Sequence, residues 1–428
     1  MVASFLISAY SLKTANASAT IYIRPDGSVD PAGSPIQRNG NVYTLTGNIN
    51  SDTDGIVVER NFTVLDGAGF TIQGTNAPSS RGIYLSGICN ATVKNMKVKA
   101  FDSGILLDTY AAYNTISGNK IEDNNYGINC WGYADNNTLI GNNMTSNSLA
   151  GIWLVGSSNV NVTENRIVGN GQYGISLESS PNCSIYHNDF IDNTNQVNIY
   201  DSPGTWDHGY PSGGNYWSDY SGGDIYSGPG QNLTGSDEIG DTNYACGENN
   251  FDNYPLMNPL INIAITEVSP SKSSVGGGYK VYISVTVQNQ GWNPQTTKLT
   301  VYINTTVLGT VTDLALPERS EIILNFTWQT TPALKGNYYT ISSTADPVPN
   351  EPDTTDNNRA YGRTVKVTIT GDVNGDGVVD IFDAIALANA FASVPSRPTW
   401  NGNADINSDN SVDIFDAILL SANFNKKI

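Results

Sequence analysis

From Gly82 to Ser202 the chain repeats itself with a period close to 23 residues. Val93, Ile116, Leu139, Val162 and Ile185 are each 23 apart, and so are Val98, Ile121, Met144, Ile167 and Phe190. Asn119, Asn142, Asn165 and Asn188 keep the same step, as do Asn124, Asn147, Asn170 and Asn193. Gly-Ile opens the units at Gly82, Gly104, Gly127, Gly151 and Gly174. A period of this length holds three short strands and three turns, which is one coil of a parallel β-helix. Coils stack at about 4.8 Å, so equivalent residues form columns. The apolar columns belong inside. The Asn columns belong at corners, where side-chain amides can bond up the stack and where Asn tolerates a left-handed backbone. A leucine-rich repeat would need denser Leu. Earlier coils are expected from Val42-Tyr43-Thr44-Leu45 and through Val64 to Gly69.

A second repeat lies near the C-terminus. Asp372, Asn374, Asp376, Asp380 and Asp383 place oxygen side chains at positions 1, 3, 5, 9 and 12 of a loop. Asp405, Asn407, Asp409, Asp413 and Asp416 do the same 33 residues later. This is the EF-hand ligand spacing, with position 7 (Val378, Ser411) giving a backbone carbonyl. Gly377 and Asn410 hold position 6, where the loop turns sharply. Helices are expected after the loops, over 384–391 and 417–424, but not before them. The duplicated loop-helix of 371–428 resembles a type I dockerin. The resemblance implies two calcium ions and a cohesin-containing partner. In that family positions 10 and 11 commonly contact the partner. Here they are Ile381-Phe382 and Ile414-Phe415, which would either meet the cohesin or pack the domain's own core.

Beyond the repeats comes an aromatic block, Trp206-Asp207-His208-Gly209-Tyr210-Pro211 and Gly213-Gly214-Asn215-Tyr216-Trp217, ending Asp252-Asn253-Tyr254-Pro255-Leu256-Met257. With the repeats it resembles the NosD-like right-handed parallel β-helix proteins, which implies the pectin-lyase-like solenoid over about 20–260. Copper, the ligand of the founding family, has little support here. There are two histidines, His187 and His208, and four scattered methionines, whereas copper sites want clustered imidazole or thioether ligands. The block is expected over 203–261 as a cap on the open solenoid end of 20–202. Its acids Asp219, Asp224, Asp237, Glu238 and Asp241 are candidates for a further calcium ion.

Residues 262–370 change character. Val281, Ile283, Val285 and Val287 alternate with polar neighbours, as do Ile322, Leu324, Phe326 and Trp328. Short alternating strands over about 110 residues argue an immunoglobulin-like β-sandwich. Asn262-Ile263-Ala264-Ile265, the turn at Gln288-Asn289-Gln290-Gly291 and the stretch from Glu351-Pro352-Asp353 to Asn358 resemble a CARDB domain, which implies a spacer or adhesion module. The chain as a whole is therefore expected to be mainly β, with helices only in the dockerin-like end.

The charge balance excludes nucleic acid as a partner: formal net charge is −19. Residues 1–19 read as a signal peptide, an apolar run followed by small residues, without the usual basic start. No other segment is apolar enough to span a membrane. The reading is a secreted, extracellular or surface-associated protein. Four cysteines, Cys89, Cys130, Cys183 and Cys246, form no Cys-x-x-Cys pair, and three disulfide pairings are open.

Two functions stay open for the β-helix. It binds a polysaccharide or surface glycan, or it is a dockerin-borne polysaccharide lyase or glycoside hydrolase. Stacking register places Asp108 and Glu178 in one outward column three coils apart, roughly 14 Å, too far for a glycosidase pair. Lys97, Lys120 and Arg166 share another outward column and could supply a lyase base. Trp131 and Trp153 lie outward on adjacent coils, with Tyr110, Tyr113 and Tyr133 in nearby turns. Such rings stack on sugars, unless a turn packs over them. Binding without catalysis is the better fit.

Overall fold

The structure, a computed structural model, describes residues 20–428 other than Pro352, and the expected signal peptide lies outside the described residues. The chain divides into two compact units, one ending at Leu260 and one running Ile261–Ile428.

The first unit is a β-solenoid of three sheets. The first sheet stacks six-residue strands such as Ser103–Asp108, Tyr126–Trp131, Ala150–Val155 and Tyr173–Glu178. The other two stack mostly three-residue strands, exemplified by Thr138–Ile140 and Asn143–Thr145. Pairing between coils is parallel and follows the sequence columns. Val93, Ile116, Leu139, Val162 and Ile185 are successive partners, as are Val98, Ile121, Met144, Ile167 and Phe190. These side chains fill the interior. Glycine opens each unit because its Cα faces the next coil: a Cβ on Gly127 would lie 2.4 Å from the carbonyl oxygen of Gly151.

The Asn columns are buried ladders. Asn119 Nδ2 donates to Asn142 Oδ1 at 3.0 Å, Asn142 to Asn165 at 3.1 Å, Asn165 to Asn188 at 3.0 Å and Asn188 to Asn215 at 2.9 Å. Asn124, Asn147, Asn170 and Asn193 are linked likewise. Each oxygen also accepts the backbone N–H of the ladder residue one coil earlier. One detail differs from expectation. The left-handed residue is the one before each rung, Gly118, Gly141, Glu164 and His187, and this turns the Asn side chain into the coil rather than along its rim. Asn142→Ala should therefore cost about 1–3 kcal/mol, because it strips the acceptor from two N–H groups of Asn119. A thermal melt checks this, and an unchanged midpoint would mean the ladder contributes nothing.

The ends are closed differently. At the N-terminal end Ile36–Asn39 and Val29–Asp30 pair antiparallel with the first coils. At the C-terminal end the inward column continues as an aromatic pile. Phe190 stacks on Trp217 at 4.4 Å and Trp217 on Tyr244 at 4.2 Å, and Trp206 and Trp217 are each 1% exposed. The aromatic block is thus a plug over the apolar interior. Asn215 Nδ2 passes the first ladder to the carboxylate of Asp252, which is fully buried.

The second unit begins with a β-sandwich. Ile263–Pro270, Lys280–Asn289 and Glu321–Gln329 make one sheet, and a five-stranded sheet makes the other. Val281, Ile283, Val285 and Val287 face the core with 0% exposure. Two helices follow, α1 (Ile381–Ala390) and α2 (Ile414–Ala422). They begin three residues before the expected 384 and 417. The reason is local: Asp380 and Asp413 at loop position 9 act as N-caps, with Asp383 and Asp416 completing capping boxes.

Candidate functional sites

The two C-terminal loops are built alike. In the first, Asp372 accepts the N–H groups of Gly375 at 2.8 Å and Gly377 at 2.9 Å, and Asp383 accepts those of Val373, Asn374 and Asp380. In the second, Asp405 accepts from Asp409 and Asn410, and Asp416 from Asn407 and Asp413. Gly377 and Asn410 both adopt the left-handed backbone expected at position 6. Asp372, Asp383, Asp405 and Asp416 are buried. Burial raises the carboxyls of Asp372, Asp405 and Asp416, and a second loop acid raises each further: Asp383, Asp416 and Asp409 respectively. An oxygen-only donor set with crowded, buried acids fits a hard divalent cation. Asp372, Asn374, Asp376, Asp380 and Asp383, with the carbonyl of Val378, would hold one ion. Asp405, Asn407, Asp409, Asp413 and Asp416, with that of Ser411, would hold the other.

The sandwich grips both loops by their backbone. Ser274 Oγ donates to the Asp372 carbonyl at 3.0 Å and Lys366 Nζ to that of Gly375 at 2.6 Å. Lys272, 4% exposed, donates to the Asp405 carbonyl and to Ser408 Oγ, and Tyr282 Oη to the Ser408 carbonyl. Nothing in the loop motif announces Ser274, Tyr282 and Lys272, which lie 98 to 136 residues upstream of the groups they bond; Lys366 is only 9 residues before Gly375.

Position 10 and 11 side chains do not pack the domain's own core. Ile381 is 57% exposed and Phe382 64%, and their counterparts Ile414 and Phe415 are 57% and 61%. The core uses Val373, Val379, Leu387, Ala390, Val412 and Leu420 instead. Ile385 and Ile418, one helical turn on, are exposed too. Sequence reading missed them, although the i, i+4 step from Ile381 and Ile414 carries the signal.

On the β-helix, Trp131, Val155 and Glu178 follow Asp108 in one outward column, and Asn129, Trp153 and Ser176 form the column beside it. Tyr126 stacks on Trp153 at 4.3 Å, Trp131 meets Trp153 edge-on at 6.0 Å, and Trp153 Nε1 donates to Glu178 Oε1 at 2.9 Å. Tyr110 and Tyr133 stack at 5.6 Å in neighbouring turns, both exposed and both left-handed. No turn packs over this cluster: Trp131 is 48% exposed. Tyr126 was missed. It is the residue just before Gly-Ile, a place occupied also by Tyr173.

Four of the catalytic candidates, Asp108, Glu178, Lys97 and Lys120, are otherwise engaged. Asp108 accepts from Tyr84 Oη and Glu178 from Trp153. Lys97 and Lys120 both pair with Glu122. Burial alone would raise the Glu122 carboxyl, but these two ammoniums hold it below its ordinary value. Asp189 is buried and accepts the N–H of Leu260.

The cap acids are turn builders. Asp224 accepts the N–H groups of Asp237 and Glu238, Asp241 those of Ile225 and Tyr226, and Asp237 those of Gly228 and Ile239. Asp219 accepts from Tyr244 Oη, and Glu238 from the Asn258 amide. Their oxygens are spent on separate turns rather than on one point, which does not support the extra calcium ion expected there. The four cysteines are free, three of them buried. Burial pushes the Cys183 thiol up to about 11 and raises those of Cys130 and Cys246, so all three sit as inert thiols.

The two histidines, 21 residues apart, converge after all. Their rings lie 6.0 Å apart, and Ser212 Oγ is 3.0 Å from His208 Nδ1 and 3.1 Å from His187 Nε2. Met96 and Met144 point into the β-helix core. Two imidazoles alone do not fit a copper site.

Three family models match the chain. The one described as periplasmic copper-binding protein (NosD) matches residues 15–222, CARDB matches 262–363 and the dockerin type I domain matches 370–425. No curated protein matches. Among solved structures, the CARDB domain of a Pyrococcus furiosus protein, in complex with di-metal ions, is 26% identical over 26% of this chain and 96% of that one, with a TM-score of 0.23. A periplasmic alginate epimerase is 15% identical over 37% of this chain and 51% of its own, TM-score 0.23. A tailspike of an Escherichia coli O157:H7 bacteriophage is 12% identical over 76% and 61%, TM-score 0.25. Among the described residues no helix is long and apolar enough to cross a membrane. From N- to C-terminus the chain thus matches the NosD, CARDB and type I dockerin families in turn, as a β-solenoid, a β-sandwich and a calcium-type docking end.

Proposed function

We propose that this is a secreted, modular surface or scaffold-docked protein. Its dockerin end docks to a cohesin-containing partner in the presence of two calcium ions, its sandwich is the spacer, and its β-helix binds a polysaccharide or surface glycan without cleaving it. The observation that carries the docking reading is the duplicated, exposed apolar pair, Ile381-Phe382 and Ile414-Phe415, set directly behind two acid loops. Large rings at the centre of an interface typically contribute 2 kcal/mol or more. Replacing both Phe382 and Phe415 by Ala should then weaken capture on an immobilised cohesin panel about 30-fold or more, while calcium binding persists. Capture unaffected by the double substitution would refute the assignment of this face.

Glycan binding is supported by the ring cluster of Trp131, Trp153 and Tyr133, extended by Tyr126 and Tyr110. Trp153→Ala should reduce retention in affinity electrophoresis at unchanged melting temperature. Release of reducing ends or unsaturated products from any polysaccharide would overturn the non-catalytic reading.

A further inference from the structure

The outward column that runs through Trp153 drops abruptly in height at the next coil, where its register partner is Ser176. The step opens a cavity of about 230 Å³ walled by Trp153 and Tyr126. That is below the ~300–1,000 Å³ of sites for drug-sized ligands, and it leaves room for one sugar ring. The indole is fixed before any ligand arrives. Tyr126 stacks on it at 4.3 Å, and its N–H is held by Glu178 at 2.9 Å. A ring held this way loses little entropy on binding.

The polar groups around the cavity are the Glu178 carboxylate, the Gln172 and Asn198 amides and the Tyr173 and Ser176 hydroxyls, of which Asn198 Nδ2 already donates to Ser176 Oγ. Glu178 has acceptor capacity beyond its one bond to the indole, so it can take sugar hydroxyls. No lysine or arginine lines the cavity. The Tyr126 hydroxyl is raised by its burial and then by Asp102 and Glu178, which marks the surroundings as negative. A carboxylated sugar placed here would face Glu178 without a counter-charge, and such like-charge contacts cost several kcal/mol.

We propose that this cavity is a subsite for one uncharged pyranose ring, stacked at Trp153 and hydrogen-bonded to Glu178, and that it rejects uronic acids. The proposal rests on the carbohydrate-binding reading and names the class of sugar. Affinity electrophoresis of the full chain tests it, in gels containing xylan, galactomannan or β-glucan on one side and polygalacturonate or alginate on the other. At least one neutral polymer should retard the protein, at least 10-fold more strongly than either polyuronate. Glu178→Gln keeps an acceptor for the indole and removes the charge. It should narrow that preference by raising polyuronate retention, and Gln172→Lys, at an exposed rim position, should do so as well. Equal or stronger retention by polyuronates in the unmodified chain would overturn the subsite while leaving carbohydrate binding intact. So would a neutral-polymer preference that neither variant narrows. Retention by no polymer at all would overturn the carbohydrate-binding reading itself.

Discussion

Chelating calcium should melt the C-terminal loops and abolish cohesin capture. Four carboxylates, Asp372, Asp383, Asp405 and Asp416, are buried in two short loops, and without a cation those in each loop oppose one another. At calcium a thousandfold above Kd, each ion adds about 4 kcal/mol to the folded form, a large fraction of what a domain this small retains. Titration of the full chain in a calorimeter should resolve two sites. Asp372→Ala and Asp405→Ala should each remove one, and EDTA should remove the helical signal of α1 and α2. The full chain is the right object, because the sandwich bonds both loops through Ser274, Lys366, Lys272 and Tyr282. The raised carboxyls also fix a direction. Without calcium these loops are most stable at acidic pH and lose that stability as the pH rises through the raised values. A C-terminal end that folds and docks equally with and without calcium would sink this account.

The second large effect belongs to Asp252. Its Oδ2 accepts the N–H of Asn215 at 2.7 Å and the indole N–H of Trp217 at 2.9 Å, and its Oδ1 accepts the N–H of Tyr254 at 3.1 Å. One carboxylate therefore ties the aromatic plug to the end of the Asn ladder. Asp252→Ala strands two buried donors, the N–H of Asn215 and the indole of Trp217, at about 1–3 kcal/mol each, and a half-buried third at Tyr254, so the midpoint of β-helix melting should fall further than for Asn142→Ala. The same group makes the β-helix pH-dependent. Burial pushes its carboxyl from the ordinary 3.8 up to about 7, against the pull of the N–H donors. Its contribution is thus complete below about 4 and is lost as the pH rises through about 7, a swing on the order of 4 kcal/mol. Between pH 8 and 5 the unmodified chain should gain stability on acidification, and Asp252→Asn should flatten that gain. A variant with an unaltered pH slope would show that the proton is bound elsewhere.

What could be read from the sequence was what recurs at a fixed interval. A 23-residue step fixes which side chains share a column, so the interior Ile and Val, the Asn rungs and the outward Trp131 and Trp153 needed no coordinates. The calcium loops were legible for the same reason, since ligand spacing is local. What stayed hidden depended on chain that returns from a distance. The N–H that Asp189 accepts comes from Leu260, 71 residues later. His187 and His208 are 21 residues apart, and the turn at Ser212 brings both rings to one hydroxyl. The cap acids looked like a metal cluster, but each serves a separate turn that only the backbone path reveals. The helix starts were legible in principle, because Asp at loop position 9 followed three residues later by Asp is itself an N-terminal signal.

The Asn ladder has a direction. Every rung donates a side-chain N–H toward the C-terminal coil, and the run from Asn119 ends on the buried carboxyl group of Asp252. Any interior coil therefore presents the same acceptor below and the same donor above, whereas the two ends are unique. Removing or adding one whole unit, such as 138–160, leaves every junction of the Asn ladder chemically unchanged, although the outward side chains differ from coil to coil. Copy number is then a free variable for recombination within a tandem gene segment. Each unit gained or lost changes the length of the β-solenoid by about 4.8 Å without disturbing the plug.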